Sequence, residues 1–152
     1  MNLQIIRYTK DKIQDVLDFE KRLREEENFW GWEINDAYIH AVMKSFDDVA
    51  FKDSISLLAY DGNIVIGRID STIIASHFDG SKKAYLDWIC VIKSYRHHGV
   101  AQNLLEALRA QLKENNIDTL IALTASNEEA QSFYRNIPDS TMRDIGIWID
   151  IK

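Results

Sequence analysis

The chain has 152 residues, 46% of them hydrophobic and 28% charged, a length that suits one domain spanning 1–152 and a composition that excludes a disordered chain. A net charge of −6 and the lack of any apolar run near the roughly 20 residues that span a bilayer argue against nucleic-acid and membrane partners. The polar start Met1-Asn2-Leu3-Gln4 has neither region of a signal peptide, and the single cysteine, Cys90, excludes an internal disulfide, so a cytoplasmic protein is expected.

Leu3 to Tyr8 reads as a first strand. Ile13, Val16, Leu17 and Leu23 place one apolar stripe along a helix from about Asp11 to Glu26, and Asp36 to Lys44 reads as a second, shorter helix. Two strands follow, Ile55 to Tyr60 and Ile64 to Ser76, joined by Asp61-Gly62-Asn63, which tolerates the positive φ of a tight hairpin. Asp79-Gly80-Ser81-Lys82 is another turn, leading into the apolar strand Tyr85 to Val91. Leu104, Leu105, Leu108 and Leu112 then repeat at helical spacing, Thr119 to Thr124 reads as a strand, and Pro138-Asp139 breaks the chain. Ile145, Ile147, Ile149 and Ile151 alternate as a last strand. There are no repeats, linkers or low-complexity tracts.

Between the strand ending at Val91 and the leucine-spaced helix lies Arg96-His97-His98-Gly99-Val100-Ala101. A glycine turn feeding a helix presents backbone N–H groups and the positive end of the helix dipole to an anion, and Arg96 adds a cation at the mouth, so a pyrophosphate fits there. Neighbouring imidazoles rarely chelate one ion, and no Cys or His partner stands at ligand spacing, so His97 and His98 read as turn residues and no metal is expected.

The pattern Arg-x-x-Gly-x-Ala resembles the acetyl-CoA signature of the GNAT superfamily of N-acetyltransferases. Downstream, Asn127-Glu128-Glu129-Ala130-Gln131-Ser132-Phe133-Tyr134 is similar to that family's Asn-x-x-Ala-x-x-Phe-Tyr helix. Tyr85-Leu86-Asp87-Trp88 resembles a strand of polyamine and diamine acetyltransferases, and the layout is similar to aminoglycoside 3-N-acetyltransferases. The resemblance implies a mixed α/β fold: a mostly antiparallel sheet of six to seven strands with a splayed pair, and about four helices. It further implies acetyl-CoA as cosubstrate, held by the backbone of Ile89, Cys90 and Val91, by Arg96 to Ala101, and by Asn127, Ala130 and Tyr134. Lys93, where the family often has Pro, and Asn136-Ile137-Pro138, in place of Gly-Phe, are departures.

Transfer from a thioester to an amine needs an uncharged amine, donors on the carbonyl and a proton for the departing thiolate. The resemblance places Tyr134 as the acid. Asp87 is the candidate on the amine side, as base or as anchor of a cationic substrate. Four residues from Val91 on one strand, it is expected on the same face. Cys90 reads as a small buried thiol. From Glu25 to Asp48, acidic residues interleave with aromatics, and Trp30, Trp32 and Glu33 with Asp87 suit a polycationic amine through ion pairing and cation–π contact. The expected activity is therefore N-acetylation of a primary amine on a small aminoglycoside-like or polyamine-like molecule. A protein or peptide N-acetyltransferase and a CoA-binding module without turnover are the alternatives, and a homodimer is compatible with each.

Overall fold

The computed structural model describes residues 1–27, 33–143 and 146–151. They cluster into two compact units, Met1–Ile121 and Ala122–Lys152. The first holds β1 (Leu3–Arg7), α1 (Ile13–Glu27), α2 (Asp36–Ser45), β2 (Ile55–Asp61), β3 (Ile64–Ala75), β4 (Lys82–Val91) and α3 (Val100–Glu114). β5 (Leu120–Ala122) ends at the boundary, and α4 (Glu128–Arg135) belongs to the second unit.

The sheet runs in chain order, β1-β2-β3-β4-β5, and its first four strands pair antiparallel. Short returns join β2 to β3 and β3 to β4, while helices fill the connections from β1 to β2 and from β4 to β5. Gly62 and Gly80 take positive φ at the two hairpins (58° and 68°), where a side chain would strain the backbone. The two faces of β3 carry different helices because successive residues point oppositely. A Cβ on Gly67 would sit 3.1 Å from Leu104 and Val100, so glycine lets α3 lie close against this face. Its neighbour Arg68 reaches Glu20 of α1 on the other. The expected leucine stripe, with Val100, forms the buried side of α3. Ile13, Val16, Leu17, Phe19 and Leu23 of α1 pack with Leu58, Tyr60, Val65 and Cys90 as a second core.

Two expectations need correction. The sheet has five strands among the described residues rather than six to seven. The alternating isoleucines do not form a strand: Ile147, Ile149 and Ile151 are 81%, 72% and 92% exposed, and Trp148 between them 75%. Alternation makes a strand only when one parity finds a surface to cover, and here both parities face solvent; Ile145 lies outside the described residues. The strand expected over Thr119 to Thr124 is likewise only Leu120–Ala122.

Candidate active site

After β4 the chain makes a one-turn 3-10 helix, Lys93–Tyr95, and enters the turn. His97 (φ 61°) and Gly99 (φ 78°) both adopt the left-handed conformation, and together they reverse the backbone so that α3 starts at Val100. The first backbone bond of α3 runs from Asn103 N–H to Gly99 O (3.0 Å), so the N–H groups of Val100, Ala101 and Gln102 have no acceptor within the helix. They sit at the positive end of a 15-residue helix. His98 folds back, its Nδ1 2.7 Å from Arg96 O. A carbonyl only accepts, so Nδ1 carries the proton.

Arg96 departs from its expected role as a cation at the mouth. Its Nε donates to Val91 O (3.2 Å) and its guanidinium pairs with Glu27 at the end of α1. Alongside, Glu26 accepts from Ser94 N–H (2.9 Å) and Oγ (3.1 Å) and pairs with Arg22. These contacts fasten α1 to the segment that leads into the turn.

A cavity of about 920 Å³ opens on the α1 and α2 side of the sheet. Asp87 and Trp88 both line it, although adjacent strand residues normally face opposite ways. A β-bulge is the cause. Asp70 pairs with Trp88 and Ser71 with Leu86, which leaves Asp87 without a partner across the ladder. The bulge also overturns the expectation that Asp87 shares a face with Val91, whose side chain packs beside Gly67, Val100 and Leu104 on the α3 side. Among the described residues the Asp87 side chain has no hydrogen-bond or ion-pair partner. Burial within the cleft, with the Asp70 carboxylate adding to it, raises its carboxyl above the usual range.

Behind Asp87 lies a buried charge network that the sequence reading did not single out. Glu20, 1% exposed, accepts from Tyr38 Oη through both oxygens (2.7 and 2.9 Å) and from Arg68 (3.2 Å). Arg68 also forks onto Asp70. Nη2 donates at 3.0 Å, and Nε lies 2.7 Å from Oδ2, close as an ion pair but off the hydrogen-bond axis. The guanidinium stands 4.9 Å from the Tyr8 ring centre and 5.7 Å from that of Trp88. The Tyr8 hydroxyl is buried without a hydrogen-bond partner. The one available signal was a pair of charges at 68 and 70, on one face of an otherwise apolar strand.

The family model described as "Acetyltransferase (GNAT) family" matches residues 17–137. The chain belongs to the GNAT family. It is accordingly an acyltransferase of the N-acetyltransferase type. A search of curated proteins returns no match. Among solved structures it is similar to an aminoglycoside acetyltransferase from an uncultured soil metagenomic sample, in complex with trehalose (TM-score 0.82, 15% identity, 99% of this chain and 97% of that one). It also resembles AAC(6')-Iy in complex with the bisubstrate analogue CoA-S-monomethyl-acetylneamine (0.78, 17%, all of both chains). A third is the ribosomal-protein-alanine N-acetyltransferase of Brucella melitensis biovar Abortus 2308 (0.75, 14%, all of both chains). At these identities the likeness is one of fold.

The other residues that the GNAT resemblance singled out fall in several places. In the second unit, Asn127 caps α4, its Oδ1 accepting from Ala130 N–H (2.9 Å), and Tyr134 packs edge-on against Phe133 (5.3 Å). Ile89 and Val91 pair with Ile69 and Gly67 of β3. On the opposite edge of β4, β5 is three residues long against ten. Cys90 is buried, and burial pushes its thiol up to about 11, which suits packing rather than nucleophilic attack. Trp30 and Trp32 lie outside the described residues, and Glu33 is exposed away from the cavity. The acidic segment is largely engaged internally. Glu26 and Glu27 hold the turn, Asp47 pairs with Lys10 (2.6 Å), and Asp48 accepts from Ala50 N–H (2.9 Å).

Proposed function

We propose that this protein transfers an acetyl group from acetyl-CoA to a primary amine of a small, polycationic molecule, aminoglycoside-like or polyamine-like, in the cytoplasm. The observation that carries the reading is Asp87: an unpartnered carboxylate facing a roomy cleft, on the strand that leads into an anion-binding turn. Acetyl-CoA supplies the thioester acetyl group. The turn fits its pyrophosphate because Gly99 adopts the left-handed conformation and three N–H groups of α3 stand open above it.

In this reading Asp87 takes a proton from the acceptor ammonium, leaving the nitrogen lone pair free to bond the acetyl carbon. An amine near pKa 10 resists this loss at pH 7 by roughly 4 kcal/mol, so a base with raised proton affinity matters. A main-chain N–H around Ile89 to Val91 donates to the acetyl oxygen as negative charge gathers there. As the carbon–sulfur bond breaks, Tyr134 gives its proton to the sulfur and recovers one from the new amide nitrogen. Asp87 then returns its proton to solvent.

The test is thiol release from acetyl-CoA with spermidine, neamine, glycine and a short lysine-containing peptide. Spermidine and neamine should turn over with the higher kcat/KM, and Tyr134→Phe, which keeps the ring, should lower kcat by about 10²- to 10⁴-fold while leaving CoA binding nearly intact. Better turnover of glycine or the peptide would replace the polycation reading. No release with any of them would leave a CoA-binding module.

A further inference from the structure

Asp70 is the carboxylate nearest in register to the candidate base. It pairs with Trp88 across the ladder, immediately beside the bulge that carries Asp87. It is itself not available to a substrate. Its side chain is 14% exposed and lies under the Arg68 fork, and Arg68 is fixed in turn by Glu20, which Tyr38 holds from α2. We propose that Asp70, held in an ion pair by Arg68, is a positioning residue of the transfer reaction, which acts on the acceptor amine only through Asp87. The inference rests on the reading of Asp87 as the proton acceptor and adds a device that sustains it.

The other charged groups around the cleft leave this coupling as the one that reaches Asp87. Arg7 donates to Ser54 O, Lys10 and Asp47 pair with each other, Asp48 caps a backbone N–H, and Glu20 is divided between Tyr38 and Arg68. Tyr8 is buried with its phenol pushed up to about 12, so it stays neutral. Lys52 lines the cleft as well, but among the described residues it is Asp70 that the strand register sets beside Asp87. A carboxylate set beside another carboxyl favours the protonated form of that neighbour. Asp87 therefore keeps the proton it removes from an ammonium long enough for the amine to react. A carboxylate without that neighbour would be a weaker base.

The experiment is a carbon-13 carboxyl titration of the full chain, with Asp87 assigned through Asp87→Asn, in the wild type, Asp70→Asn and Asp70→Glu. The midpoint of Asp87 should move to lower pH in Asp70→Asn and stay in place in Asp70→Glu, which keeps the charge. With neamine as acceptor, the acid limb of kcat/KM should move with it, and kcat should fall roughly 3- to 10-fold as the base weakens. An unmoved midpoint overturns the proposal, as does a moved midpoint with a stationary kinetic limb. Asp70→Ser, which also removes the charge, serves as the second variant if Asp70→Asn does not fold. Absence of turnover by the wild type counts against the proposed function, and the titration, which needs no acceptor, tells that failure from this one.

Discussion

The turn after β4 and the floor of the cleft are built on different principles. The turn uses backbone from consecutive residues, Arg96 to Ala101: two left-handed positions and the unpaired N–H groups of a helix start. The floor uses side chains from four elements, Glu20, Tyr38, Arg68 and Asp70 with Trp88, drawn together by the need to compensate a carboxylate buried within the stripe of α1. A contiguous site can be damaged by one backbone substitution without disturbing the core. A dispersed site cannot be touched without stability following.

The largest effect expected from that contrast is on the floor. Arg68→Met should destabilise the protein by about 3–5 kcal/mol, because Glu20 and Asp70 lose their cation while still desolvated. Urea unfolding measures it, and adding Glu20→Gln to Arg68→Met should recover part of the loss, since no uncompensated charge then remains at position 20. If the single variant unfolds like wild type, the network is not what holds α1 to β3.

At the turn, Gly99→Val should lower the stability of the free protein by only about 1–2 kcal/mol, the usual cost of a left-handed residue with a Cβ. It should nonetheless erase the thermal stabilisation by acetyl-CoA, which at about 100 times the dissociation constant amounts to roughly 2.7 kcal/mol in the wild type. A variant that still shifts fully with acetyl-CoA would show that the ligand is held elsewhere.

The smallest effect has the opposite sign. Tyr8→Phe removes a buried hydroxyl that has no partner and leaves the ring against Phe46 (5.0 Å) and under Arg68. An unsatisfied buried group costs about 1–3 kcal/mol, so the variant should melt higher than wild type, by an amount at the low end of that range. A lower melting temperature would mean that the hydroxyl is bonded in solution and that the floor is more fully satisfied than its contacts indicate.

Much of this was legible before any coordinates. Hydrophobic spacing located α1, α2, β2 and β3 to within a residue or two and marked the buried face of α3, because each of these elements buries one face and the period of its apolar residues follows. The turn was legible for a related reason: Gly99 and the helix after it are chain neighbours, so sequence order is also spatial order. Where the reading failed, it lacked a partner that only folding supplies. The isoleucines at 147, 149 and 151 keep a strand's rhythm but have no surface to cover, and Arg96 turns inward because Glu27, 69 positions earlier, waits at the end of α1.

The amino-acid order thus determined most of the element types, the GNAT signature and the left-handed turn before α3, all local properties of φ preference, periodicity and helix ends. Tertiary structure alone decided what Asp87 is. One extra residue in the β3–β4 register turns it away from the Val91 face and into the cleft, beside a second carboxylate that Arg68 pairs. Strand register and the pairing of distant charges are set by packing across the sheet, and no local pattern encodes them.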